Sequence, residues 1–163
     1  MAAVTAPQSP LVYIASDHAG FDLKKLILEK WPQGFQDFVW KDFGPANADR
    51  VDYPDFANHV CKALIAQRSA EAQNFGTARS RAILICGSGQ GMAMAANRYR
   101  QIRAAMVWSL ESVELARAHN DANVLCIGAR LIEPTLAVKL VEAFLTKPFE
   151  GGRHLGRLAK LDA

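Results

Sequence analysis

Short apolar runs alternate along the chain with longer segments in which apolar residues recur every three or four positions. The first kind suits strands buried on both faces, and the second suits helices that lay one face on a sheet. "LVYIAS" (11–16) opens the series and "GFDLKKLILEKW" (20–31) is its first helix. "FQDFVWKDFG" (35–44) alternates until Gly44 and Pro45 end it, and reads as a second strand. After a polar loop, "DYPDFANHVCKALIAQR" (52–68) is a helix started by Pro54 just after Asp52. "AILIC" (82–86), "RAAMVW" (103–108) and "VLCIGA" (124–129) complete five strands. A glycine loop with its own helix follows 86, "ESVELARAHN" (111–120) and "EPTLAVKLVEAFLTK" (133–147) are helices, and "GGRHLGRLAKLDA" (151–163) is a short last one. "SAEAQNFGTARSR" (69–81) is polar and aperiodic, and is expected to be a surface loop or helix extension without a chemical role.

This alternation predicts repeated β-α-β units: a three-layer α/β/α sandwich on a Rossmann-like, doubly wound, five-stranded parallel sheet, plus a C-terminal helix. A chain of 163 residues suits one domain, expected over 11–163 after a disordered tail at 1–10. The net charge of +3 is too mild to argue for nucleic acid. No apolar run approaches the roughly 18 to 20 residues that span a bilayer. "MAAVTAPQSP" lacks the features of a secretory signal, so the expected compartment is the cytoplasm, with an organelle left open. Cys61, Cys86 and Cys126 are odd in number and widely spaced, which predicts free thiols and no metal centre.

Ligands of such sheets gather beyond the carboxyl ends of the strands. Asp17 and His18 follow the first strand, Cys86 to Gly91 the third, Ser109 the fourth and Arg130 the fifth. His119 and Asn120 precede the fifth strand, so this rule does not place them. "ILICGSGQGMAMAANR" (83–98) resembles a nucleotide loop at first sight, yet a dinucleotide fingerprint counted from Gly87 fails at Met92, and no lysine follows to make a P-loop. What remains is Gly87, Gly89 and Gly91 before a helix, a run of backbone N–H groups able to face an anion. Cys86 heads that turn, where a thiolate is favoured and can act as nucleophile or base; a buried strand cysteine fits the position equally well.

Asp17 can cap a helix or serve a site. His119 can favour the helix dipole or carry protons. Arg153 and Arg157, four apart, share a helical face that is either solvated or a phosphate clamp. Tyr53 lines the site or covers a helix start, and His59 is read as structural or surface. Taken together, a thiol, an anion cradle, an imidazole, a carboxylate and paired arginines suit proton abstraction next to the carbonyl of a small phosphorylated substrate.

"SDHAGFDLK", "DYPDFA", "ILICGSGQGMAMAANR", "IRAAMVWS", "ARAHNDANVLCIGAR" and "FEGGRHLGR" occur in that order. Together they resemble the B-type ribose-5-phosphate isomerases over about residues 11 to 158, a family of sugar-phosphate isomerases that includes galactose-6-phosphate isomerase subunits. The resemblance implies interconversion of D-ribose 5-phosphate and D-ribulose 5-phosphate in the non-oxidative pentose phosphate pathway, without a metal or other cofactor. It also implies a homodimer, or a dimer of dimers, with the active site shared between subunits.

By motif, Cys86 would be the base that moves a proton between C2 and C1; relatives lacking it use a glutamate at the position of Met92. His119 would protonate the ring oxygen with Asp17 nearby, and Gly87, Ser88, Gly89, Gln90 and Gly91 would hold the enediolate. Asn120 would bind sugar hydroxyls, with Tyr53 beside the substrate. His18, Arg130, Arg153 and Arg157 would surround the phosphate, some of them from the partner subunit. A longer 69–81 segment and a short C-terminus depart from the family and bear on oligomer packing. Isomerisation of allose or galactose 6-phosphate is the nearer rival, and a nucleotide- or flavin-binding flavodoxin-like module the more distant one.

Overall fold

The computed structural model describes residues 9–30, 37–71 and 75–161. Most of the expected N-terminal tail, Trp31, the start of the second expected strand, residues 72–74 and the last two residues lie outside them. Five parallel strands, β1 (Leu11–Ser16), β2 (Val39–Asp42), β3 (Arg81–Cys86), β4 (Ala104–Met106) and β5 (Val124–Gly128), form one sheet in the order β2-β1-β3-β5-β4. The strand order turns back between β1 and β3, which opens a crevice at their carboxyl ends.

The two-residue period of the strands sends alternate side chains to opposite layers. Val12, Ile14, Ile83, Ile85, Leu125 and Ile127 pack with α1 (Phe21–Lys30), α4 (Leu110–Asn120) and α5 (Pro134–Thr146). Tyr13, Ala15, Leu84, Cys86 and Cys126 pack with α2 (Tyr53–Glu71) and α3 (Gln90–Ala96). β3 and β5 are buried throughout, which is why both read as continuous apolar runs. A 3₁₀ turn at Gly152–His154 leads into the last helix, α6 (Leu155–Leu161). The sandwich is the one expected from the sequence.

The edge strands are shorter than expected. β2 begins at Val39 and β4 keeps only Ala104–Met106, because Arg103 N–H turns to the Asn123 side chain (2.8 Å) before the ladder begins.

The polar 69–81 segment begins as the expected helix extension, but its end is buried. α2 runs on to Glu71, whose carboxylate accepts from the N–H of Arg79 (2.9 Å), the N–H of Ser80 (3.0 Å) and the Ser80 hydroxyl. Ser80 Oγ in turn accepts from Leu11 N–H (2.8 Å), and Arg81 donates to the carbonyls of Phe144 and Leu145 (both 2.7 Å). Ser80 and Arg81 are buried, not surface residues: their side chains satisfy backbone groups where β1 begins and α5 ends.

Asp121, in the left-handed conformation (φ 44°) just after α4, anchors the same rim of the sheet. Its carboxylate accepts from Arg117 (2.8 Å), Arg103 (2.9 Å) and Gly76 N–H (2.9 Å), with Arg68 at 3.8 Å. Burial pushes its carboxyl up, but Arg117, the Gly76 N–H and Arg103 outweigh that and hold it below the usual carboxylate range. Removing one member of a buried ionic cluster strands the others without partners. Asp121→Ala is therefore expected to lower unfolding free energy by about 3–5 kcal/mol, measured by denaturant titration. Because the folded carboxyl lies below the unfolded one, its stabilisation is complete above the ordinary carboxylate pKa of about 4 and is lost as pH falls through the lowered value.

Candidate active site

The carboxyl ends of β1, β3 and β5 open on a cavity of about 350 Å³ lined by Asp17, His18, Tyr53, Cys86, Ser88 and Arg130, among others. Asp17 is buried and caps the short turn that follows β1, its Oδ1 accepting from Gly20 N–H at 3.0 Å. Its own N–H donates to the Ile85 carbonyl (3.0 Å), which ties the ends of β1 and β3 together. The Gly20 backbone passes so close that a Cβ there would stand 2.7 Å from that carbonyl oxygen. Asp17 is thus a cap and a cavity wall at once. His18 faces Val51, with Nδ1 3.3 Å from its carbonyl oxygen.

Cys86 ends β3 with only 4% of its surface exposed, and Gly89 N–H donates to its sulfur at 3.1 Å. The cradle that follows is made of main chain in close contact with other main chain. Gly89 takes φ 79°, and a Cβ on Gly128 would lie 2.6 Å from the Ser88 carbonyl group. The Arg130 guanidinium covers Gly87, and the Tyr53 ring covers Gly91 so closely that a Cβ there would sit 2.7 Å from it. Ser88 Oγ accepts from Gln90 N–H (3.3 Å). Gln90 itself is exposed and is not among the cavity's lining residues, so its contribution is the backbone that starts α3. Cys61 and Cys126 lie deep in the same layer, where burial pushes the first thiol to about 12 and the second well above its ordinary value. Only Cys86 of the three meets the cavity.

Ser109, which also follows a strand, is outside this group. It caps α4, accepting from Ser112 N–H at 3.1 Å in a reciprocal capping box.

His119, Asn120, Arg153 and Arg157 form a second group. α4 ends at Asn120, before β5 begins, whereas Arg130 follows β5. The five residues of β5 at about 3.3 Å each put about 16 Å between these two rims. One chain therefore does not bring the two groups together.

The His119 ring stacks on His154, centroids 4.4 Å apart and planes at 13°. Glu150 reaches toward both Nε2 atoms (3.8 and 3.9 Å), and its N–H holds the Ala118 carbonyl at 3.0 Å. Arg153 Nε lies 3.4 Å from His154 Nε2. Burial first, and then His119, Arg153 and Arg157, keep His154 below the usual imidazole range. The ligand atoms of His119, Glu150 and His154 lie within 4.8 Å of one another. Nearly parallel rings do not aim both lone pairs at one ion, and the Arg153 N–H already meets one of them. Glu150 and His154 were not singled out from the sequence; their spacing of four and the flanking Gly151 and Gly152 were the available signal.

A thiol facing backbone donors in a small cavity at the strand ends marks out an enzyme site that can move a proton and stabilise the negative charge left behind. The chain belongs to the Ribose/Galactose Isomerase family, whose model matches residues 12–161. It is 43% identical to the probable ribose-5-phosphate isomerase B of Mycoplasma pneumoniae, covering 93% of each chain. It is 36% identical to ribose-5-phosphate isomerase B of Escherichia coli, covering 90% of this chain and 91% of that one. The crystal structure of the Thermotoga maritima ribose 5-phosphate isomerase matches it with a TM-score of 0.81 at 41% identity, over 94% of this chain and 97% of that one. The Mycoplasma genitalium enzyme, solved with bound ribulose 5-phosphate, matches with a TM-score of 0.82 at 39% identity, over 94% and 95%.

Reagent access follows from this geometry. Under native conditions at neutral pH, iodoacetamide is expected to modify Cys86 and to spare Cys61 and Cys126, read by peptide mass spectrometry; equal labelling of all three would contradict it.

Proposed function

We propose that the chain interconverts D-ribose 5-phosphate and D-ribulose 5-phosphate by opening the furanose and passing through a cis-enediolate. The observation that carries this is the Cys86 sulfur in the strand-end cavity with Gly89 N–H on it, in a chain of this family. The bound ribulose 5-phosphate of the Mycoplasma genitalium relative supports the choice of a five-carbon substrate over a hexose 6-phosphate.

In the open-chain aldose, the Cys86 thiolate takes the proton from C2, and the C–H electron pair forms the C1–C2 double bond while the carbonyl electrons move onto O1. The N–H groups of Gly87 to Gly91 and the Ser88 hydroxyl stabilise that developing charge, a contribution of about 3 kcal/mol for one well-placed donor. The thiol then returns the proton to C1 as the O2 hydroxyl proton passes to O1 and the O2 electron pair forms the C2 carbonyl, which gives the ketose. Ring opening comes first: His119 gives a proton to the ring oxygen and Asp17 takes one from the anomeric hydroxyl. Asn120 binds sugar hydroxyls, Tyr53 covers the substrate, and His18, Arg130, Arg153 and Arg157 hold the phosphate, whose remote binding energy serves the step at C1 and C2.

The two groups of residues must meet on one substrate, and a second copy of the chain supplies the half that one copy lacks. We assign a homodimer with shared sites, extended in some conditions to a dimer of dimers. The large exposed apolar residues Leu131 and Met94 near the cavity mouth support a covered face there. No described helix is long and apolar enough to cross a membrane. The cytoplasm and the non-oxidative pentose phosphate pathway complete the reading.

Cys86→Ala is expected to lower kcat for ribose 5-phosphate by on the order of 10³-fold with little change in KM, measured by formation of the ketose; unchanged turnover would remove the base assignment. For the shared site, Cys86→Ala and His119→Asn are each expected to be inactive alone. After mixed refolding, about a quarter of wild-type activity should return, because a mixed dimer pairs one doubly defective site with one intact site.

A further inference from the structure

Lys24 lies on α1 with 1% of its side chain exposed, a rare setting for an ammonium. All three of its donors are used: they meet both carboxylate oxygens of Asp42, at 2.7 and 2.8 Å, and the Pro45 carbonyl oxygen at 2.9 Å. The Phe21 ring faces the same nitrogen, its centroid 5.6 Å away. A charge taken out of water is tolerated only with pairing this complete. An apolar side chain of similar volume would fill the space and often stabilise a fold as well. It would not fix where Asp42 and Pro45 stand.

Those two residues begin the connection from β2 to α2, which stays stitched to β1. Asp42 Oδ1 also accepts from Gly44 N–H (2.8 Å), the Gly44 carbonyl accepts from Ser16 N–H (3.0 Å), and Phe43 N–H donates to the Ile14 carbonyl (2.8 Å). Gly44 takes φ 94°, and a Cβ there would stand 3.1 Å from the Phe56 ring. Phe56 belongs to the first turn of α2 with Tyr53, the residue that covers Gly91. Further along the connection, Val51 meets His18. α1 itself grows out of the turn that Asp17 caps. One buried ammonium therefore joins the helix rising from Asp17 and His18 to the turn against which the start of α2 rests, and these are two walls of the strand-end cavity.

We propose that Lys24 is a positioning residue for the substrate site: it clamps the β2–α2 connection to α1 and so sets how Tyr53 and His18 close on the sugar phosphate. The proposal rests on the roles given above to Tyr53 and His18. Without the clamp, Asp42 and Pro45 move apart from α1, and the first turn of α2 loses the support under Phe56. Tyr53 then no longer sits in one place over Gly91. Cys86 and its cradle belong to β3 and α3, and none of the Lys24 bonds goes to them. Substrate binding suffers, and the proton transfer itself is spared.

The first test is steady-state kinetics of the full-length protein with Lys24→Met, whose side chain has similar length and no charge. KM for ribose 5-phosphate is expected to rise on the order of 10-fold with kcat within about threefold, the split that marks lost binding rather than lost chemistry. Asp42→Asn, which keeps the shape and weakens the clamp, should raise KM in the same direction by less, and serves as the second variant if Lys24→Met does not fold. Ser80→Ala removes the acceptor of Leu11 N–H at the other end of β1. It should lower the thermal midpoint and leave KM alone.

The second test reads position directly. Fluorine NMR of protein carrying meta-fluorotyrosine gives lines for Tyr13, Tyr53 and Tyr99, assigned by replacing each with phenylalanine. The Tyr53 line should shift or broaden in Lys24→Met, and that of Tyr99, beside Asn120 at a separate cavity, should not. An unchanged KM in both clamp variants, a Tyr53 line that keeps its wild-type position while KM rises, or an equal rise of KM in Ser80→Ala would each overturn the proposal. The fluorine line needs no turnover. If wild type failed to convert ribose 5-phosphate while Tyr53 still responded to Lys24→Met, the isomerase reading would fall and the clamp would stand.

Discussion

Because all five strands run parallel, every strand-to-helix turn opens on one rim of the sheet and every helix-to-strand turn on the other. Asp17, Cys86, Ser88 and Arg130 leave strands and share the first rim; His119 and Asn120 leave a helix and stand on the second. No local rearrangement of side chains spans about 16 Å, so the proposed chemistry, which draws on both sets, calls for a second copy. The same constraint explains why each rim is stiff in its own way. The first is built from glycine backbone wedged between strand ends, and the second from buried charge around Asp121.

The short sequence "HND" gathers three unlike tasks on three consecutive residues. Asp121 takes no part in the proposed chemistry, but its left-handed backbone and its bonds to Arg117 and Arg103 fix where α4 stops. Arg103 also holds the Asn120 carbonyl at 3.0 Å. The direction in which His119 and Asn120 face is therefore set by an anion on the far side of the same turn, and the stack on His154 completes the constraint.

Much of the architecture was legible because burial on both faces leaves a plain mark. β3 and β5 are continuous apolar runs, and β1 was bounded to the residue. Edge strands carry a weaker mark, since β2 and β4 bury little and end where side chains such as Asn123 take over backbone donors. The 69–81 segment misleads for a related reason: aperiodic polarity usually means solvent, but Glu71, Ser80 and Arg81 spend theirs on backbone groups inside the fold. At the site, the strand-end rule found Asp17, His18, Cys86 and Arg130, and left His119 and Asn120 unplaced, as the opposite rim requires. It also admitted Ser109, which answers to a helix. Glu150 and His154 stayed hidden because their meaning comes from a stack that no local pattern encodes.

The cradle after β3 is almost wholly main chain, and its contacts at Gly20, Gly89 and Gly128 leave no room for a methyl group without displacing backbone. Apart from Ser88 and Gln90, a part made this way has no side chain to vary. Descendants of this chain that come to accept a longer or differently branched sugar would have to change the opposite wall, where Tyr53, Leu131 and Arg130 stand. Reaction type and substrate choice are thus inherited on separate surfaces: one is nearly closed to substitution, and the other is open to it.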